Sequence, residues 1–180
     1  MKPHHTRLCP LPFHWPEPPL QVALIEPEIP PNTGNIARLC AATGTRLHLV
    51  GRLGFRLNDA TLRRAGLDYW DAVDLERHAD LAALFQRVAP ERCYFFSTQG
   101  ASPYTSVRYQ PGDVLVFGCE TRGLPEELLD QNLHRVLGIP IRSDRVRSLN
   151  LANAVAIVLY EALRQFQTPG YFAQSTKYSC

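Results

Sequence analysis

The sequence predicts a single α/β domain with a mostly parallel sheet and helices on both faces. Three observations carry this. Short β-branched and aromatic runs alternate with helical patterns along most of the chain. Those runs are apolar at nearly every position, as strands buried on both faces are. A chain of 180 residues, 45% hydrophobic and 20% charged, suits one domain with a real core and excludes disordered, collagenous and coiled-coil classes.

The elements follow in order. Residues 1–19 hold six of the 15 prolines, too many for a helix or central strand, and predict an extended or mobile arm. The domain spans 20–166. Its strands are Val22–Ile25, Arg46–Val50, Cys93–Ser97, Asp113–Phe117 and Arg135–Ile141. Helices are predicted at 33–43, 58–65, 78–88, 125–132 and 148–166. Residues 167–180 lose the pattern and read as a tail. The last helix, Ser148 to Arg164, is apolar on nearly every face apart from Asn150, Asn153 and its final turn. A helix apolar all round must be covered all round. The sheet covers one side, so the other meets a second subunit in a homodimer or is wedged against loops.

Composition narrows the function only a little. The net charge is +2, but 17 of the 19 cations are Arg, whose planar fork grips phosphate; codon bias explains the same preference. Five scattered cysteines, with no metal-binding spacing, predict free thiols in a reducing cytosol and no metal site. The N-terminus has no secretory signal, and the longest apolar run, Ala154–Tyr160, is far too short to span a membrane. A cytoplasmic protein is expected. No G-x-G-x-x-G, P-loop, G-x-S-x-G or H-E-x-x-H motif occurs, and His48, inside a strand pattern, reads as a packed core residue.

Three segments have the composition of a site. Glu26 to Gly44 leaves a strand through a Pro-rich turn and enters a helix capped by Asn32 or Thr33. Asn32, Asn35 and Arg38 form a polar line at its N-terminal half, where anions bind well. Val114 to Glu127 is a strand ending in Gly118, followed by Glu120, Gly123 and a helix with Pro125 in its first turn. Ile139 to Asn153 runs from a strand through a loop carrying Arg142, Arg145 and Arg147 into the last helix. Taken singly, each also reads as an ordinary solvated turn or capped helix.

Together, the N-T-G-N-I-A-R, F-G-x-E-x-x-G-L-P and I-P-I…S-L-N-L-x-N-A-V-A stretches resemble the three motifs of the SPOUT superfamily of RNA methyltransferases, over residues 20–166. The opening E-P-E-I-P-P-N-T-G-N-I-A-R and the R-R-A-G-L-D-Y at Arg63–Tyr69 are most similar to the minimal branch that methylates the tRNA wobble ribose, cytidine or uridine. The resemblance implies a C-terminal deep trefoil knot and dimers packed through the first and last helices. It implies S-adenosylmethionine held by three loops, at Phe96 to Gly100, Gly118 to Gly123 with Glu120, and Ile139, Ile141, Ser148 and Leu149. It places Arg38 at the reacting ribose. Glu120 either shapes the cofactor loop or faces the cofactor's positive end. For tRNA the expected contacts are Asn32, Asn35, Arg38, Arg46, Arg52, Arg56, Arg63, Arg64, Arg142, Arg145, Arg147 and Asn150. Between residues 38 and 64 six Arg face one acid, Asp59. Cys119 and Ala152 depart from the usual pattern, so hydroxyl contacts there are not expected. A superfamily member acting on ribosomal RNA or a base nitrogen, or a non-catalytic RNA-binding module, remains open at this point.

Overall fold

The computed structural model describes residues 12–56, 72–142 and 144–167. Seven strands form one sheet: β1 (Gln21–Ile25), β2 (Arg46–Val50), β3 (Leu75–His78), β4 (Cys93–Phe96), β5 (Ser102–Pro103), β6 (Val114–Phe117) and β7 (Val136–Gly138). Their order is β3-β2-β1-β6-β4-β7-β5, and every pairing is parallel. Helices lie on both faces, as the continuous apolar runs predict. Alternate residues of each strand point to opposite sides. Val22, Leu24, Leu47, Leu49, Leu115 and Phe117 pack under α1 (Pro30–Thr43) and α4 (Leu151–Gln165). Ala23, Ile25, Val50, Val114 and Val116 pack under α2 (Leu81–Phe85) and α3 (Glu126–Asp130).

Several boundaries differ from the sequence reading, each for a local reason. Helix α1 starts at Pro30, not at 33, because two prolines fit a first turn whose N–H groups have no helical partner anyway. Ile29 takes the cap position with no side-chain hydrogen bond, so Asn32 and Thr33 lie inside the helix instead of capping it. Gly44 ends the helix as expected, in the left-handed region at φ 63°. Helix α2 is shorter than 78–88: β3 occupies its predicted start, and Asp80 caps it by accepting from Ala83 N at 2.8 Å. Strand β3 was not expected, since Leu-Glu-Arg-His lacks apolar continuity. Strand β7 ends at Gly138, before Ile141. Pro125 stands at the cap of α3, one place before its first turn. Helix α4 begins at Leu151, not 148, because Asn150 accepts from Ala152 N at 3.0 Å and Asn153 N at 3.3 Å. The helix predicted at 58–65 lies outside the described residues.

The proline-rich arm is docked from residue 12 onward. Phe13 packs on the core, and His14 and Gln167 exchange backbone-to-side-chain hydrogen bonds of 2.9 and 3.0 Å. Cys40, Cys93 and Cys119 are free and buried, and burial pushes the Cys40 and Cys93 thiols up to about 12. None of the described helices is long and apolar enough to cross a membrane.

Helix α4 is not covered all round by its own chain. Val155, Val158, Leu159, Ala162 and Leu163 are buried, whereas Ile157 is 38% and Tyr160 50% exposed.

Candidate active site

In a sheet whose strands all run one way, the loops at their C-terminal ends gather on one edge, where ligands of open α/β folds bind. Here the loops after β4, β6 and β7 and the start of α4 enclose a cleft of about 510 Å³, within the range of ligand sites. Phe96, Phe117, Ile139, Ile141, Leu149 and Leu151 give it apolar walls. The loop 118–123 gives it a floor made largely of backbone. Gly118 permits this: a Cβ there would lie 2.0 Å from the Gly123 carbonyl carbon, so the two ends of the loop touch only because no side chain intervenes.

A directed chain of hydrogen bonds joins the three sequence segments behind this cleft. The α4 amides of Ala152 and Asn153 donate to Asn150 Oδ1, and Asn150 Nδ2 donates to Asn32 Oδ1 at 2.9 Å. Asn32 Nδ2 then donates to Glu120 Oε1 at 2.9 Å. Glu120 also accepts from Glu28 N at 2.8 Å and Ile29 N at 3.3 Å. Every link points toward the carboxylate, so the chain ends on the one group that only accepts. In return Glu28 accepts from Thr121 N at 3.1 Å and Thr121 Oγ1 at 3.0 Å. Arg122 pairs with Glu26 at 3.0 Å. Glu26 holds a positive φ of 48°, a cost for a residue with a Cβ, in the crevice between β1 and β6 where the strand order reverses.

The structure brings all eight residues expected at the cofactor to this cleft: Phe96, Gly118, Glu120, Gly123, Ile139, Ile141, Ser148 and Leu149 line it. Asn32, Arg147 and Asn150, expected at RNA, line it too. Asn35 and Arg38 are exposed on α1 outside the lining, with Arg38 six residues, or about 9 Å, along the helix from Asn32. Arg142 and Arg145 are exposed in the loop before α4, and Arg145 pairs with Asp144 at 3.2 Å. Arg52 and Arg56 are exposed after β2. Arg46 stands apart. It opens β2, opposite the first residue of β1, about 13 Å from the strands' C-terminal edge, and pairs with Asp74 at 2.8 Å. Arg63 and Arg64 lie outside the described residues.

Sequence reasoning missed Arg122, which lines the cleft with its side chain 71% exposed, and the Glu28–Thr121 exchange. The signal was present, since both threonine and arginine sit inside the quoted F-G-x-E-x-x-G-L-P stretch, but spacing alone gave them no partner. Among the described lining residues the titratable side chains are Cys119, Glu120, Arg122 and Arg147. Glu120 is committed to three hydrogen bonds that tie its loop to the start of α1.

Comparison with known proteins agrees with this edge-loop architecture. Residues 19–160 match the model of the SpoU rRNA methylase family. The tRNA (cytidine(34)-2'-O)-methyltransferase of Escherichia coli K12 is 49% identical over 152 residues, 84% of this chain and 96% of that protein. A solved structure concerned with 2-OH methylation of C/U34 on tRNA superposes with a TM-score of 0.76 at 48% identity, covering 81% of this chain and 95% of the other. An AdoMet-bound rRNA methyltransferase from Sinorhizobium meliloti superposes at 0.71 with 29% identity, covering 83% of this chain and 57% of that one. A family match over most of the chain, and near-half identity to relatives matched end to end, place this chain in the SpoU rRNA methylase family.

Proposed function

We propose that this protein transfers a methyl group from S-adenosylmethionine to the ribose 2'-OH of the wobble nucleotide, cytidine or uridine 34, of tRNA. The observation that carries the reading is the meeting of all three motif segments at one cleft, tied by the Asn150–Asn32–Glu120 chain, in a protein near half identical to enzymes of that activity. The cleft suits the cofactor: apolar side chains on its walls fit a nucleoside base, and the glycine-floored loop exposes backbone to polar groups. Phe96, Gly118, Gly123, Ile139, Ile141, Ser148 and Leu149 would hold it. Bound there, it supplies an electrophilic methyl on a sulfonium that leaves readily. The knot implied by the resemblance belongs to this reading. It is supported by the tight approach of the loop after β4 to β7, where a Cβ on Gly100 would lie 2.3 Å from the Leu137 carbonyl carbon.

What remains for the chain is orientation and charge. A hydroxyl is a poor nucleophile until its proton is taken or polarised. Arg38 is permanently protonated and unsuited to be the base; it holds an adjacent phosphate and stabilises the developing alkoxide, and the proton passes to that phosphate or to water. Glu120 sets the loop instead of reacting. Arg147 and Arg122 at the rim hold the RNA backbone.

The active form is a homodimer packed through α1 and the exposed Ile157/Tyr160 face of α4. In it Arg38, which does not line its own chain's cleft, serves the neighbouring one. The test is transfer of labelled methyl from S-adenosylmethionine to undermodified tRNA. Wild type labels the tRNA, while Arg38→Ala and Leu149→Arg, which puts a cation in the cleft, each do not. Mixing those two inactive variants restores up to about a quarter of the activity, because half of randomly exchanged dimers are mixed and each has one complete site. No label with wild type overturns the function; no recovery on mixing overturns the shared site.

A further inference from the structure

A second polar cluster lies away from the cleft, on the sheet face covered by α2. Glu76 and His78, two apart on β3, point to the same side, and the parallel register sets His48 of β2 opposite Glu76. Their donor atoms lie within 4.8 Å of one another. His48 and His78 are buried, and Glu76 is part-buried at the sheet edge.

The hydrogen-bond directions settle which ring nitrogen is which. Gln21 Nε2 donates to Gly112 O at 3.0 Å, which turns Gln21 Oε1 toward His48 Nε2 at 2.8 Å. That nitrogen therefore carries the proton, and His48 Nδ1 is a lone pair. It faces His78 Nε2 at 2.9 Å and Glu76 Oε2 at 3.9 Å. Arg87 Nε holds the other Glu76 oxygen at 2.7 Å. The ring lone pair accepts the His78 Nε2 proton with a carboxylate oxygen beside it, so three atoms of metal-ligand type converge in a site that excludes most water. A ring whose far N–H is pinned to a carbonyl oxygen is also what metal-bound histidines show.

We propose that His48 Nδ1, His78 Nε2 and Glu76 Oε2 bind a divalent transition-metal ion of the zinc class, pinning the edge strand β3 to β2. Zinc bonds of about 2.0–2.1 Å place tetrahedral ligands roughly 3.3 Å apart. The 2.9 Å pair opens by a few tenths and the 3.9 Å pair closes by about half an ångström, within reach of side-chain rotation. The ring proton of His78 moves from Nε2 to Nδ1 as the ion enters, so no proton need leave the protein. Water completes the coordination. The pattern was invisible in sequence because two ligands sit on one strand and the third 28 residues earlier, with no Cys among them.

The test uses the full chain, stripped with chelator and titrated with Zn²⁺, with Co²⁺ as the spectroscopic probe. Wild type takes up one ion in the micromolar range, raises its thermal midpoint and gives tetrahedral Co²⁺ bands. Glu76→Gln, at a part-exposed position that leaves the fold intact, weakens binding by roughly ten- to a hundredfold, and His78→Gln abolishes it. Absence of stoichiometric uptake overturns the site. So does uptake that Glu76→Gln leaves unchanged, which places the ion on other residues such as the N-terminal histidines.

Discussion

Glu120 ties the loop after β6 to the start of α1. Three donors, two from the loop before α1 and one from α1 itself, converge on a group that offers no hydrogen in return, and Asn150 extends the chain from Asn32 to α4. Glu120→Gln is isosteric but turns an NH₂ toward Asn32 Nδ2 or Glu28 N. We expect it to lower stability by about 1–3 kcal/mol in urea melts and to weaken cofactor binding, because a buried donor is left facing a donor. A carboxylate acting as proton acceptor would instead lose turnover with binding and stability intact. His48 makes a second prediction at this scale. Burial first, then the neighbouring His78, lowers its pKa from 6.5 to about 4, with Glu76 opposing. The unfolded chain therefore binds a proton that the folded chain refuses, and stability rises with pH between those values. In chelator, the urea midpoint should hold above pH 6.5 and fall progressively toward pH 4, by an amount on the order of 3 kcal/mol. His48→Gln should flatten that slope.

Among the elements, α4 has two ends with separate work. Its N-terminus closes the cleft through Asn150, and its outer face leaves Ile157 and Tyr160 exposed. Tyr160→Asp puts a charge on that face without touching the buried stripe. Sedimentation should show dimer association weakened by about thirtyfold or more, with the monomer still folded. An unchanged dimer would move the interface elsewhere. The elements also show where sequence reading works. The strands that run apolar without interruption, such as Val114–Phe117, were legible because burial on both faces leaves no other pattern. β3 was not, because an edge strand carrying Glu76 and Arg77 is half solvated and looks like the start of a helix. The first turn of α1 was misjudged because Asn32 has the chemistry of a cap, whereas its amide is committed to Glu120 and Asn150.

For the whole molecule, the cleft was legible as three stretches of residues but not as one place. Gly118, Glu120, Ser148 and Leu149 could be named from motif resemblance; that Asn32 would join Asn150 across 118 residues of chain could not. Charge was read less well than geometry. The excess of Arg between 38 and 64 suggested one RNA-binding face, yet Arg46 lies at the far end of the sheet, paired with Asp74. Among the described residues, the arginines that line the cleft are Arg122 and Arg147, both outside that run. The position and atom of methylation define the proposed activity. Undermodified tRNA is incubated with the protein and labelled S-adenosylmethionine, digested with nucleases and mapped, beside an identical tRNA with 2'-deoxyribose at position 34. Label is expected at the ribose of nucleotide 34, with none on the deoxy substrate. Label on a base, at another position, or undiminished on the deoxy tRNA would contradict it.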